Sequence, residues 1–156
     1  MSAASALSEV SHVTQFTWFT VAKGLLNYYG FFAMVMFGAV YYIVPQLTGL
    51  EFPSPKLVRA HFWTAAVGVI LFVVPLAVGG VAQGFMLQYT DFPFTEISRA
   101  TLHFLRDSTI GELLLALGHL MFLGNLAGLV IRFYRARTVS AWAAATAEIK
   151  TTEARP

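Results

Sequence analysis

Three long apolar stretches dominate the pattern of hydrophobic and polar residues along this chain. They cover residues 16–47, 57–87 and 110–133, with more polar segments between them. Each is longer than the roughly 20 residues that an α-helix needs to cross a hydrocarbon core about 30 Å thick. The pattern therefore predicts an all-α membrane protein with three transmembrane helices.

We expect one small helical domain over residues 15–134, preceded by an arm and followed by a tail. The arm, residues 1–14, is rich in Ser and Ala and lacks the basic start and apolar core of a secretory signal. This composition predicts a disordered or surface segment. The tail, residues 135–156, contains Ala, Thr and Arg, and we expect it to continue the third helix before fraying.

The composition agrees with a membrane location. Hydrophobic residues make up 57% of the chain and charged residues only 12%, which is far from the balance of a soluble domain. The basic residues are few and scattered, so no nucleic-acid partner is expected. Because the chain has no cysteine, disulfides, thiolate catalysis and cysteine-bound metals are excluded.

The charges that flank the spans predict an orientation. Lys56 and Arg59 lie in the first connection, and Arg132, Arg135 and Arg137 follow the third span. The second connection is more acidic. Because cytoplasmic segments of membrane proteins are enriched in Lys and Arg, the first connection and the C-terminus are predicted to be cytoplasmic. The N-terminus and the second connection are then predicted to lie on the outer side of the membrane.

Two pairs of glycines occur four residues apart within the spans. Gly80 and Gly84 lie in the second span, and Gly124 and Gly128 in the third. This spacing places both glycines of a pair on one helix face, where two backbones can approach closely. The pairs predict tight packing within the bundle or against another subunit, which could be a second copy. Pro75 in the second span should free a backbone carbonyl that a neighbour must satisfy.

Polar residues within the spans are functional candidates because they are costly to place in hydrocarbon. Lys23 is predicted near the outer end of its helix, from which its ammonium group can reach the interface. Glu112 is predicted in the first turn of the third helix, where the helix dipole favours a carboxylate. The full set is Lys23, Asn27, Gln83, Glu112, His119 and Asn125.

His119 is the strongest candidate for cofactor binding, because it falls near the middle of its span. A buried imidazole can bind haem iron or a metal, or relay protons; the alternative is a hydrogen bond to a facing helix. His12 and His103 are predicted at the outer face, either meeting each other or lying in wet loops. His61 is predicted at the start of the second helix, as an interfacial anchor or a polar partner for the first connection.

Four sequence segments show a family resemblance. They are MVMFGAVYYIVPQL at 34–47, AHFW at 60–63, GVAQG at 80–84 and ALGHLMFL at 116–123. In order and spacing they resemble the tenth to twelfth helices of the catalytic subunit I of cbb3-type (C-family) haem-copper cytochrome c oxidases. The resemblance runs from about residue 14 to 134. It implies a truncated relative, without the nine or so helices that precede these three in the family.

The chain departs from that family at its haem ligands. The family's tenth helix has two histidines one residue apart, which bind the high-spin and the low-spin haem. In an alignment without gaps those positions fall on Lys23 and Leu25. Leucine cannot bind iron, and lysine binds it only when deprotonated. The family's copper ligands belong to helices that this sequence does not include. The resemblance therefore implies no oxygen reduction by this chain alone.

Three functions remain open at this point. The chain is either a non-catalytic membrane subunit of a respiratory, cytochrome c oxidase-like electron-transfer complex, or one piece of a split oxidase subunit. The alternative is a small b-type haem-binding electron carrier, in which His119 pairs with His12, with His103 or with His119 of a second copy. We expect other membrane subunits as partners, and no haem b bound by this chain alone.

Overall fold

The computed structural model describes residues 8–89 and 91–153, which form helices joined by short connections. In chain order they are α1 (Ser8–Thr14), α2 (Trp18–Leu25), a π-helical segment (Leu26–Ala33), α3 (Met34–Thr48), α4 (Pro55–Gln88) and α5 (Phe94–Glu153). The described residues contain no strand, so the predicted all-α class is confirmed.

Three continuous helices are long and apolar enough to cross a membrane. The first, Trp18–Thr48, comprises α2, the π-helical segment and α3; the second is Pro55–Gln88. Both agree closely with the predicted stretches. The third helix begins at Phe94, well before residue 110. Its early turns are too polar to stand out as an apolar stretch, yet they bury Ile97 and Thr101.

Part of the N-terminal arm, for which a disordered or surface segment was predicted, is helical. Residues 8–14 form α1, which packs against α4, and Thr14 is buried. The chain then turns at Phe16, where φ is +59°. The arm docks because Gly84 has no side chain, so the backbone of Val13 lies directly against α4. Residues 1–7 lie outside the described part of the chain.

The helices α4 and α5 run antiparallel and approach most closely at two glycines. A Cβ atom at Gly68 would lie 3.1 Å from the carbonyl oxygen of Gly111. Gly111 in turn lies against the peptide that joins Leu71 and Phe72. Because Pro75 has no N–H, the carbonyl of Leu71 has no helical donor. The α5 backbone therefore covers the region that the proline leaves unpaired.

The core lies between α2, α4 and α5. Small and branched side chains from these helices fill it, and bulkier residues pack around them. No residue of the π-helical segment or α3 is fully buried, and these segments contribute partly buried side chains, Leu26, Tyr29 and Met34, to the edge of the core. The buried cluster consists of Ala22, Ala65, Val69, Val73, Leu76 and Leu115.

Candidate functional site

The register of α4 and α5 brings two histidines together. Gly68 lies opposite Gly111, and moving seven residues along each antiparallel helix reaches positions 61 and 118. A Cβ atom at Gly118 would lie 3.4 Å from Cδ2 of His61. The ring of the next residue, His119, has its centroid 6.4 Å from that of His61. The two imidazoles are therefore neighbours between adjacent helices, with their planes tilted by 48°.

His61 is a buried residue, and its predicted role as an interfacial anchor is wrong. Its side chain is 1% exposed, and its Nδ1 atom is hydrogen-bonded to the Tyr41 hydroxyl over 3.0 Å. Phe62 and Trp63 beside it are exposed, because they lie on the outer face of α4. Among the described residues, Nε2 of His61 is the buried side-chain polar atom without a hydrogen-bond partner.

His119 is half-buried at the same level of the bundle. Its ring centroid lies 5.4 Å from that of Phe37 and 6.2 Å from that of Tyr29. The other two histidines are exposed, and His103 lies against Phe104 with ring centroids 3.9 Å apart. The histidine beside His119 is therefore His61, which the sequence interpretation did not consider as its partner.

Aromatic rings enclose the histidine pair. The ring centroid of Phe37 lies 4.7 Å from that of His61, in an edge-to-face arrangement, and 4.8 Å from that of Phe122. The ring centroids of Phe122 and His61 are 5.5 Å apart. A haem between the two imidazoles would extend several ångströms in every direction across the axis that joins them. Phe37 and Phe122 fill that space, so the histidine pair does not fit a haem.

The two positions predicted to correspond to the family's haem ligands lie on α2. Lys23 and Leu25 are both half-buried, and Leu25 packs against the apolar core cluster. This chain thus has a lysine and a leucine at the two positions where the resemblance predicts histidines.

Glu112 is not in a first helical turn, because α5 begins at Phe94. It lies well inside α5, on an exposed face.

Two of the polar candidates satisfy backbone groups at helix starts. The Asn125 amide is 1% exposed; it accepts from the Ser54 N–H at 3.1 Å and donates to the Ser54 carbonyl at 3.0 Å. Ser54 is the N-cap of α4. The Gln83 side chain accepts from the Trp18 N–H at 3.1 Å. Both contacts join distant segments, and both supply an acceptor for an N–H group at a helix start, which has no partner within its own helix.

The two glycine pairs lie in different surroundings. Gly80 meets the backbone of Phe19, and Gly84 meets that of Val13. In the other pair, a Cβ atom at Gly128 would lie 3.0 Å from Pro53, whereas one at Gly124 would meet nothing within 4 Å. A packing role for Gly124 therefore needs a partner other than the described residues of this chain and stays a prediction.

Comparison with known proteins defines the class of this chain. The family model of cytochrome c and quinol oxidase polypeptide I matches residues 2–114. The cbb3-type cytochrome c oxidase subunit CcoN1 of Stutzerimonas stutzeri is 33% identical over 142 residues, which cover 90% of this chain and 29% of that protein. A cytochrome c oxidase subunit 1 homolog (bacteroid) of Bradyrhizobium diazoefficiens is 40% identical over 96 residues, which cover 59% of this chain and 17% of that protein.

An archaeal relative is the cytochrome c oxidase polypeptide 1 of Halobacterium salinarum. It is 32% identical over 114 residues, which cover 71% of this chain and 18% of that protein. With three apolar helices and these relatives, the molecule is an integral membrane protein related to respiratory oxidase subunits. The chain belongs to the cytochrome c and quinol oxidase polypeptide I family, and the predicted resemblance to the cbb3-type subunit is confirmed. It spans 17 to 29% of the length of these three relatives.

The His61–His119 pair could have been found from the sequence only through the helix register. Gly68 and Gly111 mark the closest approach of α4 and α5, and counting outward from them places the histidines together. The neighbouring Phe62 and Trp63 instead suggested a membrane interface, which is where aromatic residues concentrate. That signal describes the outer face of α4 and not the face that His61 occupies.

Proposed function

We propose that this chain is a membrane subunit of a respiratory, cytochrome c oxidase-like complex and holds no haem of its own. The main support is the replacement of the family's two histidine ligands by Lys23 and Leu25, with Leu25 packed on the core. The structural elements of the family's last helices are present, but the groups that would bind iron on the first of them are not. The chain then acts as a helical scaffold, descended from or split from an oxidase subunit.

The exposed surface of the first long helix supports membrane partners. Tyr28, Phe31 and Tyr42 are each at least 69% exposed, and Phe32 is 61% exposed. No residue of α3 or of the π-helical segment before it is buried. This apolar, aromatic surface suits lipid or the helices of another subunit. We infer that part of it packs on the larger complex.

The same proposal includes an orientation, with the N-terminus periplasmic and the C-terminus cytoplasmic. It rests on the basic residues of the first connection and of α5 beyond residue 131. Reporter fusions test it. A fusion after Val139 should be active only as a cytoplasmic reporter, and a fusion at Asp91 only as a periplasmic one. The reverse pattern would contradict the orientation and the correspondence with the oxidase helices.

The functional test combines copurification with a visible spectrum. The chain is isolated in mild detergent together with any partner subunits, and a reduced-minus-oxidised difference spectrum is recorded. We expect oxidase-type subunits to copurify and any haem signal to stay with them after they are separated. A b-type α-band from the isolated chain would refute the scaffold function.

The alternative, a small b-type haem carrier that uses His119, meets a steric obstacle. Phe37 and Phe122 would have to leave the space beside the histidines before a macrocycle could enter. A pairing of His119 with its counterpart in a second copy would also require α5 to turn this half-buried side chain outward. The difference spectrum of the isolated chain distinguishes this alternative from the scaffold.

A further inference from the structure

We propose that His61 and His119 together bind one monovalent copper ion, Cu(I), between α4 and α5. The site uses side chains that the oxidase resemblance does not assign to any metal. It does not depend on whether the chain joins a respiratory complex, because both ligands come from this chain. Its test can therefore fail or succeed separately from the proposed function.

The first argument is distance. A metal ion lies about 2.0–2.1 Å from each imidazole nitrogen, so two imidazoles on opposite sides of one ion hold their ring centroids about 6 Å apart. The observed separation of His61 and His119 is 6.4 Å. A tetrahedral arrangement would bring the rings about 1 Å closer than a collinear one. The observed separation matches that of a nearly linear, two-coordinate ion held between the two rings.

The second argument is the unsatisfied nitrogen of His61. Its Nδ1 atom is engaged by Tyr41, while its Nε2 atom is buried without a partner. The adjacent ring atom, Cδ2, faces Gly118 on α5, so the free edge of the ring points toward the turn that bears His119. When the Tyr41 oxygen accepts the Nδ1 proton, Nε2 presents a lone pair, as a metal-bound histidine requires. A bound ion would satisfy this atom.

The third argument selects the ion. No group of three or more His, Cys, Asp or Glu side chains that could hold a metal occurs in the described part of the chain. Zn²⁺ takes four ligands in structural sites, whereas Cu(I) is stable with two collinear nitrogens, and imidazole suits copper. The cavity beside His61 is also lined by Arg59, whose charge opposes a divalent ion more than a monovalent one.

A cavity lies beside one of the two proposed ligands. A cavity of about 330 Å³ reaches His61, and its lining includes Met34, Tyr41 and Arg59. His61 lies six residues after Pro55, the first residue of α4, or about 9 Å along the helix. The thioether of Met34 is a soft ligand that suits Cu(I) in transit. We propose this cavity as the route by which the ion reaches His61.

The test measures metal binding by the full chain, purified in detergent with whatever subunits stay attached. Cu(I) is supplied anaerobically from a colorimetric Cu(I) chelator, and Ag(I) serves as a probe that does not change oxidation state. We expect one Cu(I) per chain, X-ray absorption showing two nitrogen ligands, and no comparable retention of Zn²⁺. Substitution His119→Gln should weaken binding about 100-fold or more, and Tyr41→Phe about 10- to 100-fold while the ion stays two-coordinate.

Matched controls separate the site from general effects. The exposed histidines allow His12→Gln and His103→Gln, which should leave Cu(I) binding unchanged. Because loss of a buried histidine can impair folding, each variant is checked by metal-free thermal unfolding, and Cu(I) should raise the Tm of the parent but not of His119→Gln. The proposal is overturned if the parent retains no Cu(I), if His119→Gln binds as tightly as the parent, or if Zn²⁺ binds more tightly than Cu(I).

Discussion

The two glycine pairs have the same spacing but different surroundings. At Gly80 and Gly84, backbone from α2 and from the end of α1 occupies the space that a side chain would need. At Gly124 that space is open, although Asn125 next to it is 1% exposed. The first pair joins the N-terminal region to α4, whereas the Gly124 position contacts no other described part of the chain.

This difference shows that a four-residue glycine spacing defines a helix face but not its partner. A small-residue face allows close approach, and the structure decides whether a backbone is there. For Gly80 and Gly84 the partner is the segment from Val13 to Phe19, which includes the end of an arm that was not predicted to pack. For Gly124 no partner occurs among residues 8–89 and 91–153.

The largest effect is expected where the backbones touch. Gly84→Leu should destabilise the protein by about 3 kcal/mol or more, because the neighbouring backbone of Val13 cannot move aside as a flexible side chain would. Gly80→Leu should act in the same direction through Phe19. The change is measured as the shift in the unfolding midpoint in detergent, with proteolysis of the N-terminal region as a second readout.

Gly124→Leu is the matched control for this experiment. It adds the same side chain to a helix face that is open within the chain, so the unfolding midpoint should change little. If another subunit covers that face, Gly124→Leu should instead reduce copurification. Equal destabilisation by Gly84→Leu and Gly124→Leu would show that the contrast between the two pairs is incorrect.

Asn125 follows Gly124 directly but lies on a buried face of α5, so a substitution there tests the packed side of the same helical turn. Asn125→Leu removes both hydrogen bonds to Ser54 and leaves the Ser54 N–H without its partner, which should cost about 1–2 kcal/mol; the Ser54 carbonyl still accepts from Leu57 and Val58. The exposed Asn27 provides the control, and Asn27→Leu should change the unfolding midpoint little. If the two variants are equally stable, Asn125 does not hold the start of α4.

The sequence predicted the helices well but not the faces that meet. The apolar stretches located the first two long helices because hydrophobic length alone determines a membrane span. The start of α5 was missed, since residues such as Arg99, Arg106 and Asp107 interrupt the hydrophobic pattern without interrupting the helix. The burial of His61 depends on where α4 crosses α5. Gly68 and Gly111 determine where the two helices cross, and the residues next to His61 in the sequence contain no sign of this crossing.

The smallest effect is expected at Lys23, next to Ala22, which is fully buried in the packed region. Lys23 is only half-buried, and interactions of partly exposed lysines are typically worth about 0–1 kcal/mol. Lys23→Met should therefore leave stability, assembly and the haem content of the complex nearly unchanged. Ala22→Leu is the control that should destabilise the protein, because the core around Ala22 has no room for a larger side chain.

The Lys23→Met experiment also tests the scaffold function at the former ligand position. A lysine that binds iron would lose a spectral band on substitution, and loss of one partner of a buried ion pair would cost about 3–5 kcal/mol. Either result, with wild-type expression of the variant, would mean that a new site has been built around Lys23. An unchanged spectrum and unfolding midpoint would mean that α2 now serves packing alone. Leu25, packed on the core beside it, is the reason to expect the second result.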